Sequence, residues 1–226
     1  MKKLVLLSTG IGLVPRIMEI VNRLDPSIEI CNLVDDTIIS SIARNENKIP
    51  PSLLARMCDY CRIGEEMGAD ALLLTCSSIS EAIDAARPLV RIPLFKIDQP
   101  MMEQAVALSS QKIGVAATLL TTLRPSCRQL EGIIRSSGKA LGCEEGLCEG
   151  AFDAYLSGNV ALHDALVRQT VSRLLESCDV VVLAQASMAT AVYTLPPELH
   201  SRVLSSPESG VARVVSFLSQ REGVPA

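Results

Sequence analysis

The chain has 226 residues, which suits one large domain or two small ones, and its hydrophobic fraction of 48% is typical of a well-packed globular protein. Its 21 Lys and Arg residues against 25 Asp and Glu residues give a formal net charge of −4, and only three Phe and three Tyr are available for base stacking. We therefore expect no nucleic-acid partner.

The amino-terminal segment resembles the start of a secretory signal, because Met-Lys-Lys precedes a short apolar run. However, Ser8, Thr9 and Gly10 interrupt that run after four residues. We therefore interpret this segment as a first β-strand. No apolar run approaches the ~20 residues that span a bilayer, so no membrane association is expected. Eight cysteines without a secretory signal indicate a cytoplasmic protein with free thiols.

Short apolar runs alternate with longer segments of helical periodicity, which is the pattern of βα units and parallel sheets. In the first half, the predicted strands are 3–8, 28–34, 70–75 and 92–97, and the predicted helices are 13–24, 51–67, 78–86 and 99–109. The stretch 35–51 is predicted to be irregular, either a surface loop or a lid. In the second half, the predicted strands are 112–117, 138–143, 179–184 and 202–205, and the predicted helices are 121–136, 147–156, 161–177, 187–192 and 207–221.

An internal repeat with an offset of 109 residues relates the two halves. Three strand-like segments share that offset without a gap: 3–9 with 112–118, 70–78 with 179–187, and 94–96 with 203–205. The repeat predicts two α/β lobes at 1–110 and 111–206, with 207–226 as a carboxyl-terminal helix that packs back on the first lobe. Two similar lobes that face each other would place two polar strand ends across one cleft, where we expect the chemistry.

Cys76 is the first candidate for chemistry, because it follows a buried strand directly and Ser77 and Ser78 open the next helix. Ligands of open α/β sheets bind outside the carboxyl ends of the strands. Free N–H groups at a helix start bind carboxylates, and the positive end of the helix dipole is expected to lower the pKa of the thiol. The alternative is a buried structural cysteine.

The repeat places Gln185, Ala186 and Ser187 at the equivalent end of the second lobe. Gln185 can donate and accept hydrogen bonds but cannot take up a proton at neutral pH, and Ser187 mirrors Ser78 as a binder of an anionic substrate. The alternative is a buried glutamine whose hydrogen bonds are satisfied within the protein.

Hydroxyl groups also follow the first strand of each lobe, at Thr9, Thr118 and Thr121. They are candidate substrate-binding donors, with turn or helix-capping roles as the alternative. The Cys58–Cys61 pair has redox-motif spacing, but it falls inside a periodic helix and is interpreted as packing. With two histidines and no GxGxxG or P-loop pattern, we expect neither a metal nor a cofactor.

Several stretches together resemble the aspartate/glutamate/hydantoin racemase superfamily over nearly the whole length: 32–36, 68–78, 112–118, 149–152, 179–188 and 205–210. The resemblance implies two Rossmann-like lobes, each with a parallel four-stranded sheet, related by pseudo-twofold symmetry around a cleft. It also implies cofactor-independent chemistry at the carbon next to the carboxylate of a small acid or amino acid, and a homodimer.

Racemases of this superfamily carry one cysteine in each lobe, and the two thiols act on opposite faces of the substrate carbon. Here the first is Cys76 and the second position holds Gln185. The chain is also similar to maleate isomerase, in which the first-lobe cysteine is a nucleophile, and to arylmalonate decarboxylase, which has a single cysteine in the second lobe. The resemblance thus implies a racemase-like or isomerase-like enzyme with Cys76 as base or nucleophile. The alternatives are a single-cysteine lyase and a non-catalytic carboxylate-binding protein.

Overall fold

The apolar runs form two parallel β-sheets in the computed structural model, which describes residues 2–220. The strands are β1 Lys3–Ser8, β2 Glu29–Val34, β3 Ala71–Leu74, β4 Leu94–Lys96, β5 Lys112–Ala117, β6 Gly142–Leu147, β7 Val180–Leu183 and β8 Val203–Ser205. The helices are α1 Val14–Leu24, α2 Thr37–Arg44, α3 Pro51–Glu66, α4 Ser80–Ala86, α5 Gln99–Leu108, α6 Leu120–Ser137, α7 Ala151–Leu156, α8 Val160–Leu175 and α9 Ser206–Gln220. Residues 221–226, the end of the predicted carboxyl-terminal segment 207–226, lie outside the described residues.

The chain divides into two compact units. Of the described residues, one unit comprises 2–99 and 207–220, and the other comprises Pro100–Ser206. None of the helices described for residues 2–220 has the length and hydropathy needed to cross a membrane.

The first unit contains a sheet with strand order β2-β1-β3-β4, in which every neighbouring pair is parallel. Its central strands β1 and β3 are almost wholly buried, which explains their continuous apolar sequences. Helix α9 belongs to this unit, because Val211, Val214 and Leu218 pack with Leu4 and Leu6 in one apolar cluster.

The second unit contains a sheet of the same order, β6-β5-β7-β8, and it is also parallel throughout. The register repeats as well: Leu4 pairs with Ala71 in the first sheet, as Ile113 pairs with Val180 in the second. Each residue of the second pair lies 109 positions after its counterpart in the first pair. The predicted fold class, α/β with two parallel four-stranded sheets, is confirmed.

Two local predictions were wrong. The predicted strand 138–143 is displaced, because α6 continues to Ser137. Gly138 ends the helix with a φ of 71°, a left-handed conformation that glycine adopts without strain. The strand β6 begins four residues later. The predicted irregular stretch 35–51 contains α2, which Asp35 initiates by accepting hydrogen bonds from the N–H and hydroxyl of Thr37.

The segment 187–192 is also helical, but as part of a 3₁₀ helix that spans Ala186–Thr194. A shorter 3₁₀ turn, Ser77–Ile79, lies at the corresponding place in the first unit, between β3 and α4. Both follow the carboxyl end of a central strand, which is the end of each sheet where a ligand is expected to bind.

Candidate functional site

In the first unit, Cys76 lies two residues beyond the end of β3. Its backbone is extended, with φ −128° and ψ 120°, and it precedes the Ser77–Ile79 turn. Thr9 follows β1, the strand that pairs with β3, so both residues lie at the same edge of the sheet. Cys76 is half-buried and its thiol is free.

Burial raises the pKa of the Cys76 thiol above its ordinary value. The hydroxyl of Thr9 and the N–H and hydroxyl of Ser78 donate hydrogen bonds to the sulfur and lower the pKa in turn, whereas the negative charge of Asp98 raises it. Burial outweighs the donors, so the expectation of a lowered thiol pKa was wrong. The thiol is therefore protonated at neutral pH, and the three donors are placed to stabilise the thiolate once it forms.

Ser77 and Ser78 are both buried, but they differ in their contacts. Ser78 hydrogen-bonds to Cys76, whereas the hydroxyl of Ser77 has no hydrogen-bond partner in the described part of the chain. A hydroxyl without a protein partner at a strand end is available to bind a ligand.

In the second unit, Gln185 occupies the position equivalent to Cys76. It lies two residues beyond β7 with nearly the same backbone conformation, φ −131° and ψ 135°, and it precedes the 3₁₀ helix. The oxygen Oε1 of Gln185 accepts hydrogen bonds from the N–H of Thr118 at 2.7 Å and from the hydroxyl of Thr118 at 3.0 Å. The repeat thus places a threonine beside the thiol in one unit and beside the amide in the other.

The remaining candidates in the second unit flank this pair. Ala186 begins the 3₁₀ helix, and Ser187 is half-buried without a side-chain hydrogen bond among the described residues. Thr121 lies in the first turn of α6, and its hydroxyl oxygen is buried with no partner in residues 2–220. A buried hydroxyl without a protein partner is uncommon, and it is able to hydrogen-bond to a water or a ligand.

Sequence reasoning missed Asp98, which is fully buried after β4. Its carboxylate oxygens accept a hydrogen bond from the hydroxyl of Ser80 at 3.2 and 3.4 Å, and its charge acts on Cys76. The available signal was an acidic residue directly after a predicted strand, at the same sheet edge as the cysteine.

The pair Cys58 and Cys61 lies on α3, where Cys61 is buried and burial raises its pKa to about 12. A thiol with that pKa stays protonated and packs as an apolar group. Within residues 2–220, no group of three or more His, Cys, Asp or Glu side chains is arranged to hold a metal ion.

The two sheets and their polar strand ends define a two-unit α/β protein of the racemase type. The family model for Asp/Glu/Hydantoin racemase matches residues 7–214, so the chain belongs to that family, and the expected family is confirmed. The expectation of an enzyme of racemase type is confirmed with it. No curated protein matches the sequence.

Solved structures show the same fold at low sequence identity. A putative Asp/Glu racemase from Yersinia pestis has a TM-score of 0.74 at 12% identity, covering 97% of this chain and 100% of that one. A glutamate racemase from Francisella tularensis subsp. tularensis, in complex with D-glutamate, has a TM-score of 0.72 at 14% identity, with 98% and 82% covered. An allantoin racemase from Klebsiella pneumoniae has a TM-score of 0.63 at 19% identity, with 98% and 89% covered.

Proposed function

We propose that this protein is a cofactor-independent enzyme that acts at the carbon next to the carboxylate of a small acid or amino acid, with Cys76 as the base or nucleophile. The observation that carries the proposal is the environment of Cys76. In a member of the racemase family, this thiol lies at the carboxyl end of a central strand and receives hydrogen bonds from Thr9 and Ser78.

Removing a proton from carbon requires the thiolate, and a base works best when its pKa lies near the working pH. The raised pKa of Cys76 makes its thiolate a strong base but a minor species at neutral pH. The donors from Thr9 and Ser78 offset part of the cost of forming the thiolate in a buried place. A preorganised donor of this kind is worth roughly 3–4 kcal/mol in the transition state of comparable reactions.

We assign substrate binding to hydroxyl, amide and backbone N–H groups at the two equivalent strand ends. They are Thr9, Ser77 and Ser78 in the first unit, and Thr118, Thr121, Gln185, Ala186 and Ser187 in the second. The hydroxyls of Ser77, Thr121 and Ser187 support this assignment, because they have no hydrogen-bond partner in the described part of the chain. Such groups hydrogen-bond to a carboxylate without breaking an existing contact.

We propose an amino acid as the substrate class, because one of the similar structures is a glutamate racemase bound to D-glutamate. The family resemblance also leads us to propose a cytoplasmic location and a homodimer. Analytical ultracentrifugation of the purified protein tests the oligomeric state.

The experiment is proton exchange in D2O. The protein is incubated with a panel of amino acids and small carboxylic acids, and loss of the Cα–H signal is followed by ¹H NMR. We expect exchange with at least one acid, and we expect Cys76→Ala to abolish it. Cys58→Ala is the matched control, because Cys58 is another half-buried free thiol of the same unit.

Three outcomes decide the proposal. Exchange that survives Cys76→Ala would remove Cys76 from the chemistry. Release of CO2 from a malonate without Cα exchange would favour the single-cysteine lyase. Saturable binding without either reaction would leave a carboxylate-binding protein.

A further inference from the structure

The side-chain amide of Gln185 is held in one orientation. The backbone N–H of Thr118 lies 2.7 Å from the oxygen of that amide, and the hydroxyl of Thr118 lies 3.0 Å from it. A backbone N–H can only donate, so the atom that faces it must be the carbonyl oxygen and not the NH2 group. The opposite orientation would bring an N–H against an N–H, and the NH2 group of Gln185 therefore points away from Thr118.

The two N–H donors of this amide have no hydrogen-bond partner within residues 2–220. A purely structural link to Thr118 needs only an acceptor, which a glutamate would supply equally well. What the glutamine adds is the pair of donors that the link does not use. Two other polar groups at the same sheet end also lack partners there, the buried hydroxyl of Thr121 and the hydroxyl of Ser187.

We infer that Gln185 is a fixed N–H donor for the carboxylate of an anionic ligand at the carboxyl end of the second sheet. This inference rests on the proposed function and makes that function more specific. The position equivalent to Cys76 then binds negative charge and transfers no proton, because an amide does not titrate near neutral pH.

The binding role is tested by NMR on the uniformly ¹⁵N-labelled full chain, with malonate and D-glutamate as probes and neutral malonamide as the reference. We expect malonate to shift the side-chain NH2 signals of Gln185 in a saturable way and malonamide to leave them in place. The variant Gln185→Glu assigns those signals by their loss. It retains an oxygen that accepts both hydrogen bonds from Thr118, so the fold is preserved while the donors are exchanged for a negative charge.

We expect Gln185→Glu to weaken malonate binding at least about tenfold, because a charge-assisted hydrogen bond is replaced by repulsion between like charges. The backbone N–H of Ser187 reports binding in this variant. Gln104→Glu is the matched control, since Gln104 is exposed on α5 in the same unit and the change of charge is the same. The control should bind malonate as the wild type does.

The outcomes separate this inference from the proposed function. Side-chain signals of Gln185 that move with neither anion would overturn the inference, as would equal affinities of Gln185→Glu and Gln104→Glu. Exchange that depends on Cys76, together with malonate binding that is untouched by Gln185→Glu, would leave the proposed function intact and remove the donor role. Malonate binding that depends on Gln185, without exchange on any acid, would support the donor role and refute the proposed reaction.

Discussion

Replacement of Gly210 by alanine tests how closely α9 packs against the end of β4. A Cβ atom added at Gly210 would overlap the carbonyl oxygen of Ile97 and lie 2.8 Å from its C and Cα atoms. All three are backbone atoms, so no side-chain rotation relieves the overlap. Ile97 is itself held by a hydrogen bond from its N–H to the carbonyl oxygen of Leu74, two residues before Cys76.

The expected magnitude follows from two opposing effects. Inserting a methyl group into a packed contact costs about 1–3 kcal/mol of stability, and an overlap with backbone belongs at the upper end. Alanine in place of glycine inside a helix stabilises by about 1 kcal/mol. The net loss for Gly210→Ala is therefore about 2 kcal/mol, which lowers the Tm by roughly 4–8 °C for a chain of this size.

Gly132 provides the matched control. It lies inside α6, and a Cβ atom there would meet only the guanidinium of Arg135 at 3.9 Å, an ordinary contact. Gly132→Ala gains the helix preference without the overlap and should raise the stability of the second unit by about 0.5–1 kcal/mol. Differential scanning calorimetry of the two variants and the wild type measures both shifts. A Gly210→Ala variant as stable as the wild type would refute the close packing of α9 on Ile97.

Two further predictions concern charged groups. Asp98→Asn removes a negative charge that raises the pKa of Cys76. The pH profile of Cys76 alkylation by iodoacetamide should therefore move to lower pH. The control Asp59→Asn, on the exposed side of α3, should leave the profile unchanged. Asp179 accepts hydrogen bonds from the N–H groups of residues 110–112, and these hydrogen bonds lower its pKa. The contribution of Asp179 to stability is therefore present above about pH 4 and is lost as the pH falls through its folded-state pKa. Asp179→Asn should therefore lower the Tm at pH 7, and the difference should shrink in acid; a constant difference across that range would contradict the assignment.

The central strands were predictable because both of their faces are buried. β1 and β3 consist of nearly continuous buried apolar residues, and so do β5 and β7. Such runs are visible in a sequence, and the common offset ties each to its counterpart. The edge strand β6 was misplaced because its sequence, Gly142–Leu147, is mostly exposed or half-buried and contains two glutamates. An edge strand needs no apolar run, so periodicity gives little signal there.

The place of Cys76 in the fold was predictable, whereas its electrostatics were not. That Cys76 follows a central strand could be read from the apolar run before it, since parallel strands end at a common edge. The direction of its pKa shift could not be read from the sequence. The helix dipole acts locally, whereas burial depends on every element packed around the sulfur. The hydrogen bonds between Thr118 and Gln185 were equally hidden, because they join residues 67 positions apart through side-chain directions that no sequence pattern specifies.

At the two equivalent strand ends, the backbone conformation is nearly the same and the side chain differs. Cys76 and Gln185 follow equivalent strands with nearly the same φ and ψ, and each has a threonine from the neighbouring strand as its partner. The same backbone therefore presents a sulfur in one unit and an amide in the other. A thiol accepts and returns a proton within the accessible pH range, whereas an amide only donates hydrogen bonds through its NH2 group and accepts them through its oxygen. Because the oxygen of Gln185 already accepts both hydrogen bonds from Thr118, the only function its side chain retains toward a ligand is donation through the NH2 group.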